Sequence, residues 1–326
     1  MERIVNGYLY PSVQPQVLRQ TAPKLTYLSM FTYGVTPQGG LVQLEDRSLA
    51  EGAWAGGAGP LMVLAAMDEE GNFDSNLASQ VLRDPAVRQN LVRSIVENVA
   101  GKGLAGVDFD FEFLYPEDAE LYAALVRETK AALAAVDPWY TVMVALAPKT
   151  SDGQPGILNE GHDYRALGDA ADYAFLMTYE WGYTFGPPMA VAPLPQVRRV
   201  IQYGLSRIPR EKILMGIPNY GYDWTLPFVQ GESRAEKIGN EEAELRAKRY
   251  GAAVQFDEES QSPYYRYRDA EGREHEVWFE NRASIRAKLQ LIPEYGLAGV
   301  SYWNLMEYFP VLWEEQEGLF GTKKLG

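Results

Sequence analysis

Residues 103–114 read GLAGVDFDFEFL, with Asp108, Asp110 and Glu112 at every second position and Phe109, Phe111 and Phe113 between them. In an extended strand, alternate side chains point the same way, so the three acids share one face and the aromatics take the other. Successive acids on that face are about 6.6 Å apart, twice the rise per residue. Where water is scarce, three such carboxylates cannot all ionise comfortably, and at least one keeps its proton near neutral pH. A solvated strand with an apolar back would share this pattern. The acid-bearing face of a proton-transfer site is the sharper reading. Glu112, nearest the strand's C-terminal end and longest in reach, is then the natural donor, and Asp110 its charged partner.

Outward from this stretch, short apolar or β-branched runs alternate with amphipathic segments. Strands are expected at 5–10, 26–34, 60–67, 105–113, 141–148, 173–181, 212–221 and 299–305. Helices are expected at 12–22, 86–102, 116–136, 163–171, 194–207 and 282–295, with Pro116 and Asp163 as starts. Between the second and third strands the chain looks irregular, with a helix short or missing. Eight strands alternating with helices imply parallel pairing, and eight strands close a barrel. No Gly-rich phosphate loop follows the first strand, which disfavours a doubly wound open sheet. The fold class expected is therefore α/β, a (β/α)8 TIM barrel spanning 1–326 as one domain. Residues 222–281 fit no barrel element and read as a small α+β insertion between strands 7 and 8, with a hairpin turning near Asp269–Gly272.

Composition narrows the partners. The 326 residues carry 44 acidic and 30 basic side chains, a formal net charge of −14, which disfavours nucleic acid. No cysteine is present, so neither disulfides nor thiolate metal sites are available. His162 and His275 are too far apart for local metal-ligand spacing, and no metal is expected. No apolar run is long enough to span a membrane, and MERIVNGYLYPSVQPQ shows no signal peptide.

In such barrels reactive groups stand at strand C-termini. Here those ends carry acids and aromatics: Asp108, Asp110 and Glu112 on the fourth; Pro148 and Lys149 on the fifth; Met177, Tyr179, Glu180 and Trp181 on the sixth; Asn219 and Tyr220 on the seventh; Trp303 and Asn304 on the eighth. Carboxylates to move protons and flat rings to pack on pyranose faces suit a glycan substrate. Bland readings stand beside these. Asp108 is equally readable as purely structural, and Trp303 as a plug in the barrel mouth. Trp181, Tyr220, Tyr222 and Trp224 either line a groove or pack against the insertion. Lys149 reads as a surface charge and His162 as part of a loop or helix start.

GVDFDFE resembles the D-G-x-D-x-D-x-E signature of glycoside hydrolase family 18, the chitinase-like barrels. MTYE (177–180) resembles that family's M-x-Y-D, and SYWNL (301–305) falls where the family places a substrate-floor tryptophan. The stretches ALAPKTSDGQPG, EGHDY, MTYEWGYTFGPPMAVAP and GIPNYGYDWTLP resemble the spore cortex-lytic branch, whose members act on peptidoglycan. Two positions depart from the pattern: Ala105 replaces the first aspartate, and Glu180 the aspartate of M-x-Y-D.

The resemblance implies a retaining, cofactor-free hydrolase of β-linked N-acetylglucosaminyl bonds in which the substrate's own 2-acetamido oxygen is the nucleophile, an exception to the two-carboxylate scheme. It implies Glu112 as general acid and base, Asp110 orienting the acetamido group, and Asp108 in a proton relay. Tyr179 would hydrogen-bond the acetamido oxygen, and Trp303, with Met177, Trp181, Asn219 and Tyr220 around it, would hold the sugar. A wall, spore or extracellular setting follows from the same resemblance. The alternatives are a sugar-binding barrel that has lost catalysis, or activity on chitin or N-glycans.

Overall fold

A computed structural model describes residues 1–68 and 70–325. Eight parallel strands form its centre: β1 (Glu2–Leu9), β2 (Tyr27–Val35), β3 (Gly59–Ala65), β4 (Gly106–Phe109), β5 (Thr141–Leu146), β6 (Tyr173–Leu176), β7 (Ile213–Pro218) and β8 (Gly299–Trp303). Each pairs with its sequence neighbour, and β1 pairs with both β2 and β8, so the sheet closes on itself. This is the (β/α)8 barrel. β3 and β5–β8 are buried almost throughout, as parallel strands covered by helices must be.

Local chemistry explains the helix that precedes β4. Asp84 accepts the free N–H groups of Ala86 and Val87 at 2.8 and 3.2 Å, Pro85 occupies the first turn, and Gly103 ends the helix at φ +63°. A cap of this kind is worth about 1 kcal/mol. Leu91, Ile95 and Val99 recur every fourth residue and face the barrel. Gly106 then opens β4 at φ +152°, and a Cβ there would lie 1.9 Å from the Thr141 carbonyl oxygen. Only glycine lets β4 approach β5 so closely.

Several expectations change in detail. The link between β2 and β3 does hold a helix, Arg47–Ala55. It escapes a pattern search because Asp46 makes no cap bond and only Leu49 and Ala53 face inward. Helices Ser75–Arg83 and Pro310–Leu319 were also not expected. β4 and β6 end at Phe109 and Leu176, four or more residues earlier than read, because the chain beyond them leaves the ladder for the barrel mouth. The run read as one strand over 212–221 is two: β7 ends at Pro218, and Gly221–Thr225 joins a second sheet.

That second sheet lies between β7 and β8 in sequence. It orders its antiparallel strands as Glu236–Ile238, Gly221–Thr225, Glu274–Trp278, Ser262–Arg268 and Gln255–Asp257. Helix Asn240–Arg249 covers it through Ala243 and Ala247, which join Tyr265, Val277 and Phe279 in a separate small core. The hairpin turns where expected: Asp269 accepts the N–H groups of Glu271 and Arg273, and Gly272 takes φ +80°. Among the described residues no helix is long and apolar enough to cross a membrane.

Candidate active site

The C-terminal ends of the strands surround a cleft of about 280 Å³, lined by Tyr8, Phe31, Phe73, Asp110, Glu112, Pro148, Leu158, Phe175, Met177, Tyr179, Glu180, Lys237 and Trp303. Phe109 and Phe111 are buried on the opposite side of their strand against helix Ala119–Val136, where Phe111 stacks on Tyr122 at 5.3 Å. That packing turns the acids inward. The alternation breaks at Phe113, whose φ of 55° takes its ring out of the series to lie 5.9 Å from Phe73.

The three acids descend from mouth to core. Glu112 is half-buried at the cleft, and its pKa is pushed up to about 7, first by desolvation and then by the charge of Glu180. Asp110 is buried beneath it, with its backbone N–H on the Leu64 carbonyl at 2.9 Å. Burial, the charge of Glu112 and that of Asp108 raise its pKa well above the usual carboxylate range. Asp108 lies deeper and does not line the cleft. Tyr8 and Ser29 donate to its Oδ2 at 2.6 and 2.8 Å, but burial outweighs these bonds and its pKa rises to about 6.

The segment just past β6 supplies Met177 and Tyr179. Thr178 Oγ1 donates to the Gly216 carbonyl at 2.7 Å and ties the end of β6 to β7. Any Cβ at Gly216 would approach the Tyr179 ring at 2.9 Å, so the glycine makes room for that ring. Glu180, at φ +66°, stands in the left-handed region that side chains rarely occupy. Hydroxyls of Tyr220 and Tyr222 donate to its carboxylate and hold it there. Trp303 is seated in an aromatic collar, edge-on to Tyr8 at 5.3 Å, Phe31 at 5.0 Å and Tyr10 at 6.1 Å. The Phe31–Thr32 and Trp303–Asn304 peptides are cis.

Acids and aromatic rings thus share one cleft at the mouth of the barrel. Residues 70–307 match the sequence profile of glycosyl hydrolases family 18. The chain belongs to that family. It is 41% identical over 318 residues to the cortical fragment-lytic enzyme of Bacillus subtilis (strain 168), covering 94% of this chain and 72% of that protein. The crystal structure of the Bacillus cereus spore cortex-lytic enzyme SleL superposes with a TM-score of 0.94 at 36% identity, over 99% of this chain and 75% of that one. More distantly, a chitinase from Chromobacterium violaceum superposes with a TM-score of 0.89 at 25% identity, over 97% and 98% of the two chains. This family 18 protein is thus a glycosidase.

Of the residues singled out from sequence, Asp110, Glu112, Met177, Tyr179 and Trp303 meet in the cleft. Trp181, Asn219 and Tyr220 do not line it. Asn219 is buried, with Nδ2 on the carbonyls of Asn304 and Glu307 at 3.1 and 3.2 Å, and fastens β7 to the segment after β8. Tyr220 stands behind Glu180, and Trp181 packs against the main core. Lys149, read as a surface charge, is buried, and its Nζ donates to the carbonyl of His162 at 3.0 Å; His162 lies in the loop before helix Tyr164–Ala170, as read, and is buried there. Tyr8, Phe31, Phe73, Leu158, Phe175 and Lys237 were not anticipated as site residues. Tyr8 and Phe31 sit on expected strands in aromatic-rich runs, the one local signal available for them. Nothing local marks Lys237.

Proposed function

We propose that this glycosidase cleaves β-linked N-acetylglucosaminyl bonds in peptidoglycan of the spore-cortex type, or in its fragments, with retention and by substrate-assisted catalysis. One observation carries the reading: Glu112, protonated up to about pH 7, shares a cleft with buried Asp110, Tyr179 and the Trp303 ring. The similarity to cortex-lytic relatives supports the choice of polymer, since it exceeds that to the chitinase.

The sugar at the cleavage point lies on Trp303, its apolar face against the indole. Tyr179 donates its hydroxyl to the acetamido carbonyl oxygen and sets that oxygen behind the anomeric carbon. As the oxygen attacks, the glycosidic bond breaks and Glu112 gives its proton to the departing oxygen. The resulting ring is a cationic oxazolinium. Asp110, beside it, stabilises this growing positive charge where little water screens it. Glu112, now ionised, takes a proton from water, and the water oxygen displaces the acetamido oxygen. Two inversions leave the configuration retained. Glu180, clamped by two tyrosine hydroxyls, is held away from a nucleophile's role and acts through its charge on Glu112.

The test is incubation of the wild type and Glu112→Gln with muramidase-released cortex fragments and with chitooligosaccharides, products being read by mass spectrometry. New reducing-end N-acetylglucosamine from the wild type alone, and more of it from cortex fragments, is expected. Binding of both polymers without product from either would overturn the reading in favour of a sugar-binding barrel.

A further inference from the structure

Lys237 is the one cation among the described residues lining the cleft, beside the carboxylates of Asp110, Glu112 and Glu180. It comes from the second sheet, on strand Glu236–Ile238, where it lies opposite Tyr222 of the neighbouring strand. Ala235, two residues earlier, donates its N–H to the Thr184 carbonyl at 2.8 Å and ties this strand to the loop that follows β6. The Lys237 ammonium stands 3.7 Å from the centroid of the Tyr220 ring, a cation–π contact. The hydroxyl of the same ring is bound to Glu180, so the ring's position is set.

This placement differs from that of the other cations of the second sheet and its flank. Arg246 is satisfied by Asp223 and Glu236 at 2.6 and 2.7 Å, and Lys288 by Glu280 at 2.9 Å. Lys237 forms no salt bridge with a described residue, and its side chain is exposed to the cleft. The walls around its ammonium lower its pKa from the ordinary lysine value, against the opposing charge of Glu180. This lysine, set on an aromatic ring and without a salt bridge to a described residue, is the cationic side chain that an anionic substituent of a bound sugar would meet in the cleft. A homopolymer of N-acetylglucosamine carries no such group. In peptidoglycan the alternate sugar bears a lactyl ether, whose carboxyl, wherever it is not closed into a lactam, is free or extended by a peptide that itself ends in carboxylates.

We propose that Lys237 is a specificity residue of this site, receiving a carboxylate carried by the sugar next to the N-acetylglucosamine at the cleavage point. The assignment rests on the peptidoglycan reading above and names the chemical feature by which that polymer is told from chitin. Tyr220 serves as its support, which gives that tyrosine a part in recognition although it does not line the cleft.

The test measures binding in the Glu112→Gln protein, so that it does not depend on turnover. Four probes are compared by calorimetry: disaccharide fragments with a free lactyl carboxylate, disaccharide–peptide fragments, and the same two with their carboxylates converted to amides. The free acids are expected to bind about tenfold more tightly than their amides. Lys237→Gln should reduce that ratio to near one, and Lys237→Arg should keep most of it. A preference confined to the first pair assigns the lactyl carboxylate; one confined to the second pair assigns the peptide. An acid-to-amide ratio unchanged by Lys237→Gln, or weakening of acids and amides alike, overturns the proposal and leaves Lys237 as a counter-charge for Glu180. Binding of none of the four probes would overturn the peptidoglycan reading itself, and this inference with it.

Discussion

His162 Nε2 lies 2.7 Å from the carbonyl oxygen of Phe111, the residue between Asp110 and Glu112. Its Nδ1 accepts the N–H of Ala147 at 2.8 Å, so the ring is neutral and its one proton sits on Nε2, pointing at Phe111. A single imidazole thereby couples the acid-bearing segment after β4 to the end of β5. Tyr122, stacked on Phe111, takes the same segment's N–H at 3.4 Å from the other side.

Replacing His162 by alanine leaves the Phe111 carbonyl and the Ala147 N–H buried without partners. The expected loss of stability is about 2–4 kcal/mol, read from the urea midpoint at constant slope. The wild type should also weaken in acid. Burial, with the charge of Lys149 adding, depresses the His162 pKa to about 4 against an ordinary 6.5. The stability it contributes is complete above pH 6.5 and is lost as pH falls towards 4, because only the unfolded chain gains a proton across that window. A gap of this size is worth about 3 kcal/mol. Urea unfolding at pH 7 and at pH 4.5, wild type against His162→Ala, isolates that part, since the variant lacks it.

The pH–rate profile should show a basic limb near pH 7, where Glu112 loses the proton it must donate. Below that limb the donor form is filled; above it kcat/KM falls tenfold per pH unit. Glu180→Gln removes a charge that raises the Glu112 pKa, so its limb should move to lower pH. A limb unmoved in Glu180→Gln would show that desolvation alone sets the Glu112 proton.

Tyr179→Phe removes a hydroxyl that acts on the acetamido oxygen while that oxygen attacks. It should cut kcat about 10²-fold and change KM little, the pattern of a contact made mainly in the transition state. Trp303→Ala should instead raise KM, because the indole holds the sugar before and during reaction. Steady-state kinetics on one defined fragment separates the two.

Lys288 and Glu280 form a fully buried ion pair at 2.9 Å beneath the second sheet. Lys288→Met alone leaves a buried carboxylate unpaired and should cost about 3–5 kcal/mol; Lys288→Met with Glu280→Leu should recover most of it. Thermal unfolding of the two variants against the wild type decides this.

That residues 108–112 send acids to one side and aromatics to the other was legible from the amino-acid order alone, because successive side chains of an extended chain point in opposite directions. That order also implied the barrel, since eight apolar runs alternating with helices have few ways to bury every strand. Asp110, Glu112, Met177, Tyr179 and Trp303 were legible for the same reason: each stands at or just past the C-terminal end of a strand. What surrounds them depends on long-range packing. Lys149 lies just past the end of β5 and His162 in the loop before helix Tyr164–Ala170, yet both are buried where those segments meet. Asn219 and Tyr220 follow β7 as a site residue would, but the chain turns there into the second sheet, where Asn219 binds the carbonyls of Asn304 and Glu307 and Tyr220 stands behind Glu180. Lys237 reaches the cleft from a strand whose place depends on antiparallel pairing with Gly221–Thr225. Such pairings join residues far apart along the chain, and no local pattern records which side chain they bring to the mouth of the barrel.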